Sequence, residues 1–133
     1  MRFAATPCLT FNGQASIAIA YYESVFSMTR RVLIHGNDGR IEHAHLANGL
    51  FELMIWDDAD VSSMTTSLEL LVTFDVIDDI TTCFERLRSG GDVLQALDLQ
   101  ANPLLARVRD RFGTTFILEY SQAGGEQIPS NAL

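Results

Sequence analysis

The chain of 133 residues is 47% apolar and 20% charged, an ordinary globular balance for one domain with its own core. A net charge of −8, from 17 acidic and 9 basic residues, argues against nucleic acid as a partner, because phosphate contacts need a basic patch. No run approaches the roughly 18 consecutive apolar residues of a membrane helix, and Met1-Arg2-Phe3-Ala4-Ala5-Thr6-Pro7 lacks the apolar segment of a signal peptide, so a cytoplasmic protein without a membrane partner is expected.

Taken in order, Cys8 to Phe11 is a short apolar strand that stops at Asn12-Gly13. Gln14 to Phe26 reads as a helix with Asn12 as its cap. Its stripes are Ile17, Tyr21, Val25 and, beside them, Ala18, Tyr22, Phe26, which together make a broad buried face. Arg30 to His35 and Glu42 to Ala47 are strands joined by the turn Gly36-Asn37-Asp38-Gly39. Asn48-Gly49 turns the chain again, and Leu50 to Trp56 is a fourth strand. The polar stretch 57–67 is a connector. Leu68 to Phe74 is the next strand, and Asp75 or Asp78 caps a second helix whose stripe is Ile80, Phe84 and Leu87, with Cys83 beside it. Acid in its first turn, Arg86 and Arg88 near its end and Gly90-Gly91 beyond suit the helix dipole and a glycine stop. Asp92 to Leu97 is a strand, and Leu104 to Asp110 with Thr114 to Tyr120 forms the last hairpin, turning on Phe112-Gly113. Residues 121–133 have no periodicity and are expected to be a mobile tail.

The order β-α-β-β-β thus occurs twice, and the halves align at an offset near 63. Leu9-Thr10-Phe11-Asn12 matches Val72-Thr73-Phe74-Asp75, Ile17 matches Ile80 and Tyr21 matches Phe84; with one residue of drift Trp56 matches Tyr120. The expected fold class is therefore α+β, with two tandem βαβββ modules forming a curved mixed sheet around a cleft. Its bounds are a single domain over 1–133, with module 1 at about 5–56, the connector 57–67 and module 2 at about 68–120. Ligands favour such concave places.

Several segments in this order resemble the vicinal oxygen chelate superfamily (glyoxalase, bleomycin-resistance proteins, dioxygenases), and within it the PhnB-like branch. They are Pro7-Cys8-Leu9-Thr10-Phe11-Asn12-Gly13, Tyr21-Tyr22-Glu23-Ser24-Val25-Phe26, His43-Ala44-His45-Leu46, Leu87-Arg88-Ser89-Gly90-Gly91 and Asp110-Arg111-Phe112-Gly113. The resemblance spans residues 5–120 and implies the paired modules and a homodimer. The superfamily's enzymes hold a divalent metal with His and Glu. Carried over, those positions fall on Pro7, Glu69, Leu53 (Met54 if the register slips by one) and Ile117, which leaves one carboxylate where a catalytic metal wants three protein ligands.

The expectation is a metal-free protein that needs no cofactor and sequesters an unidentified small molecule, partly apolar or cationic. Its cleft would be lined by Leu9, Phe11, His43, His45, Phe51, Leu53, Trp56, Glu69, Leu71, Ile117 and Glu119. Strand alternation sets Glu69, Leu71 and Thr73 opposite the apolar Leu68, Leu70 and Val72. Glu69 is then either a solvated carboxylate or a ligand-contacting acid. The competing expectation is an isomerase, lyase or transferase that uses Glu69 as a catalytic base, or a metal held by Glu69 with His43 or His45; His35 lies across the hairpin from these two. Cys8 and Cys83 have no metal-ligand spacing and read as free thiols.

Overall fold

The structure, a computed structural model, describes residues 3–61 and 68–121. Most of the connector and all but the first residue of the expected tail lie outside these. The chain divides into two compact units, Met1–Met64 and Thr65–Leu133.

The first unit runs β1 (Cys8–Phe11), α1 (Ala15–Phe26), β2 (Thr29–His35), β3 (Ile41–Asn48) and β4 (Phe51–Asp57). Its sheet has the order β1-β4-β3-β2, with β1 parallel to β4 and the other pairs antiparallel. The helix packs on β3 and β4. Ala18, Ile19, Tyr22, Val25 and Phe26 meet Ala44, Leu46, Leu53 and Ile55, all buried. Each large side chain in that layer contributes roughly 1.5–3 kcal/mol by leaving water. Of the stripe expected through Ile17, only Val25 is part of it: Ile17 is 61% exposed and Tyr21 half-buried, and the helix is rotated so that Ala15, Ala18 and Tyr22 face the sheet. The turn of the helix that faces solvent can carry an isoleucine without penalty to the core, which is why apolar spacing alone misassigned it.

Asn12 does not cap α1. Gln14 stands at the N-cap and makes no side-chain cap bond. The donors are met from across the sheet instead: Asp57 Oδ1 accepts from the Gly13 and Ala15 N–H groups, and its Oδ2 accepts from Ile41 N–H. One carboxylate at the end of β4 therefore ties the helix start to the start of β3. At the other end Ser27 takes a left-handed conformation (φ 52°), Met28 N–H reaches Glu23 O, and Asn48 Nδ2 donates to Phe26 O.

The second unit repeats the plan with β5 (Glu69–Phe74), α2 (Ile77–Arg88), β6 (Asp92–Gln95), β7 (Leu105–Arg109) and β8 (Thr115–Tyr120). The sheet order is β5-β8-β7-β6, with β5 parallel to β8. Ile80, Cys83, Phe84 and Leu87 of α2 cover Ala106, Val108, Phe116 and Leu118. Asp78 and Asp79 lie in its first turn and Arg86 and Arg88 in its last, in favourable order for the dipole, but neither Asp75 nor Asp78 is the cap; that place is taken by Val76. A Cβ at Gly91 would sit 2.3 Å from Arg109 O, so only glycine lets the helix exit run against β7. Asp110, only 3% exposed, closes the β7–β8 turn by accepting from Phe112 and Thr114 N–H through Oδ1.

Strand register refines the repeat. Phe11 pairs with Asp57 and Phe74 with Tyr120, so the first and last strands keep the offset of 63, and Trp56 corresponds to Glu119 rather than to Tyr120. The third strand of each unit is shifted by one: Ala44 faces Ile55 as Ala106 faces Leu118. The helices follow that second offset, so Ala18, Tyr22 and Val25 correspond to Ile80, Phe84 and Leu87. The expected matches of Ile17 to Ile80 and Tyr21 to Phe84 are one residue out.

Candidate functional site: the helix-free sheet faces

Each sheet has one face under its helix and one without. Residues paired across neighbouring strands share a face. In the first unit the helix-free face carries the row Cys8, Met54, His45, Val32, then Thr10 with Trp56, and His43 with Ile34. Glu52 lies diagonally beside His45, with His45 Nε2 and Glu52 Oε1 2.5 Å apart. Ile34 is 47% exposed here and Met54 and Trp56 are half-buried, so the surface is apolar and aromatic around one acid–imidazole pair.

His35 does not join His43 and His45. A register shift between Arg30 and Val32 puts Ile34 on the His43 face, so His35, one residue on, lies on the opposite face, where it pairs with the buried Ile41. Among the described residues no three His, Cys, Asp or Glu side chains come together as an ion site. The positions where the resemblance would place ligands do not supply a donor set. Pro7 has no donor side chain, Leu53 is fully buried under α1, and Met54 and Ile117 offer a thioether and a hydrocarbon.

In the second unit the helix-free face holds three rows across β5, β8 and β7: Glu69, Thr115, Arg109; Leu71, Ile117, Arg107; and Thr73, Glu119, Leu105. The dominant contact is a fork between Arg107 and Glu69. Arg107 Nε donates to Glu69 Oε1 and Nη2 to Oε2, both at 2.6 Å. These bonds hold the Glu69 carboxyl below the usual carboxylate range, with the charges of Arg107 and Arg109 adding to the effect, and they raise Arg107 in turn. Thr73 Oγ1 donates to Glu119 Oε1 at 3.2 Å. Leu71 stands 55% exposed beside them.

Of the residues expected in a cleft, His43, His45 and Trp56 lie on the first helix-free face and Glu69, Leu71, Ile117 and Glu119 on the second. Four lie elsewhere. Leu53 is buried under α1, Phe51 packs edge-on against Phe26 of that helix with ring centroids 5.0 Å apart, and Leu9 and Phe11 share the face of Ile55 and Asp57. The repeat already carried that information, since Leu9 corresponds to Val72, a helix-facing residue. Cys8, Thr10, Met54 and Glu52 take the vacated places, and Arg107 and Arg109 complete the second face. Alternation from Ile117 and Glu119 through the hairpin would have found the two arginines.

No family model and no curated protein matches the chain. Solved structures do. A PhnB protein from Bacillus cereus is 22% identical, with TM-score 0.78 over 90% of this chain and 100% of that one. A protein from Pseudomonas aeruginosa is 22% identical, with TM-score 0.77 over 92% and 100%. A glyoxylase/bleomycin resistance protein/dioxygenase domain from Frankia is 15% identical, with TM-score 0.70 over 93% and 95%. Two helix-covered, four-stranded mixed sheets of one topology, alike in register and matched end to end by these structures, give the chain the glyoxalase/bleomycin-resistance fold.

Proposed function

We propose that the chain is a small-molecule-binding protein that contacts a ligand through a helix-free sheet face and uses no metal. The observation that carries this reading is the composition of those faces. Exposed or half-buried Ile34, Met54, Trp56, Leu71 and Ile117 stand beside polar groups already fixed by hydrogen bonds. Apolar area of this kind gains roughly 25 cal/mol per Å² when a ligand removes it from water, and the fixed groups set orientation at little ordering cost.

A catalytic role for Glu69 has less support. Both its oxygens are occupied by Arg107, and its carboxyl is held below the usual range, whereas a general base works best with a pKa near the operating pH. The two cysteines are free and Cys8 is exposed, which suits a reducing compartment such as the cytoplasm. We also infer a homodimer, since each sheet leaves two edge strands, β1 and β2 in one and β5 and β6 in the other. Sedimentation at micromolar concentration is expected to show a species of twice 14.7 kDa; monomer alone would refute this.

The test of binding is a fragment screen on isotope-labelled protein. Hits on the first unit's open face should shift the Trp56 indole signal, and hits on the second unit's open face the Leu71 and Ile117 methyl signals. A screen without hits on these groups counts against binding, and near-stoichiometric zinc, iron, manganese or nickel lost on Glu69→Ala or His43→Ala would replace it with a metal-dependent enzyme.

A further inference from the structure

Resting on that reading, we propose that the helix-free face of the second sheet selects an anionic ligand, a carboxylate or a phosphorus or sulfur oxoanion, and that Arg109 is the residue that receives it. The chain contains no lysine; its nine basic residues are all arginine, against 17 acids. Several of the arginines are engaged elsewhere: Arg30 with Glu23, Arg40 with Asn12, Arg88 with Glu85 and Arg111 with Ser89 O. Two sit one strand-step apart on one sheet face, Arg107 and Arg109, with Glu69 in the row of Arg109 and reached diagonally by Arg107.

The charge balance of that cluster decides the sign of the ligand. Glu69 gives both oxygens to the Arg107 fork, so it has little left for a ligand cation. Glu119 is held by Thr73. Arg109 is different. Its Nε is buried without a hydrogen-bond partner among the described residues, and its guanidinium acts on Glu69 only through charge. A buried N–H with no acceptor is costly, and a turn of the half-buried Arg109 side chain that brings it to an incoming oxygen removes that cost. Asp92 on β6 is its register partner, yet no ion pair joins them among the described residues. A planar oxoanion matches the guanidinium edge with two parallel N–H bonds, which a lysine could not offer. Leu71 and Ile117 in the adjoining row then favour a ligand whose anionic group is attached to an apolar body.

The experiment titrates the full-length chain with benzoate, phenylphosphonate and benzylamine, which share one ring and differ in head group, and follows Arg Nε–Hε signals and binding heat. The anions should bind and shift the Arg109 signal, benzylamine should bind at least tenfold more weakly, and the ratio of benzoate to phenylphosphonate tells the carboxylate from the oxoanion. Arg109→Gln should lose at least tenfold in anion affinity at unchanged thermal midpoint. Arg109→Lys, which keeps the charge and cannot make the fork, should lose part of it, and provides the same reading if the glutamine variant does not fold. Benzylamine binding as tightly as the anions, or Arg109→Gln and Arg109→Lys both binding anions like the parent, overturns the inference. Neutral or cationic fragments seen on this face without anion binding overturn only the anion selectivity; the absence of any small molecule on either helix-free face overturns the function itself.

Discussion

In the first unit Leu46, Leu53 and Ile55 lie under α1; in the second Val108, Phe116 and Leu118 hold the same three positions under α2. Tyr22 and Phe84, Val25 and Leu87 complete the match from the helices. Turning each sheet over changes the picture. Trp56 has Glu119 as its counterpart, Cys8 has Leu71, His45 has Arg107 and Ala47 has Arg109, while Thr10 and Thr73, and the apolar Met54 and Ile117, are alike. The helix side needs volume and hydrocarbon, and many apolar side chains satisfy that need. The open side is packed less completely, with Ala47 and Thr115 buried but Ile34 and Leu71 exposed, so fewer of its side chains are fixed by volume. The two open faces are consequently unlike in chemistry, one aromatic with an imidazole–carboxylate pair, the other built on arginine.

Truncation of equivalent helix-side residues is the strongest way to break this comparison. Phe116→Ala should cost about 3–5 kcal/mol and Leu53→Ala about 2–5 kcal/mol, because both side chains are fully buried and leave cavities. Met54→Ala and Ile117→Ala, one strand position away on the open side, should each cost about 1 kcal/mol or less. Denaturant unfolding checks all four. Open-face losses as large as the helix-side ones would mean that the open faces are packed cores rather than contact surfaces.

The fold was legible because the helix side repeats. Apolar periods in Ile80, Phe84 and Leu87, glycine stops at Gly90-Gly91 and the Asp110-Arg111-Phe112-Gly113 turn all appear as local signals in the chain. The site was half legible. Alternation placed Glu69, Leu71, Ile117 and Glu119 on one face, and the register agrees, since β5 and β8 run in phase without a bulge. It failed where the chain departs from strict alternation or where an apolar residue suits either face. The register shift between Arg30 and Val32 moves His35 off the face of His43 and His45, and no residue in that stretch announces it. Leu9, Phe11, Phe51 and Leu53 are as plausible against a ligand as under a helix, and only strand pairing decides. Asp57 and Asn12 show a further limit: the donors at the α1 start are met by a carboxylate 42 residues from Ala15, which a reading of local caps cannot see.

The subtler contrast lies in the carboxylates of the open faces. Glu69 has no acidic counterpart in the first unit, where the matching position is Thr6. Its folded-state carboxyl is held below the unfolded value of about 4.3 by the Arg107 bonds. The sign follows from linkage: a lowered folded value adds stability that is complete above the unfolded value and disappears as pH falls through the folded one. Glu69→Gln should therefore lower the thermal midpoint at pH 7 by a small amount, less than any helix-side truncation, because the pair is partly open to solvent and screened. The difference from the parent should hold steady from pH 7 to about pH 5 and then shrink toward zero in acid. Raising the salt at pH 7 should reduce it as well. A midpoint difference that stays constant down to pH 2 would show that Glu69 acts through shape alone, and with that the reason for treating Arg109 as the ligand-facing charge would go.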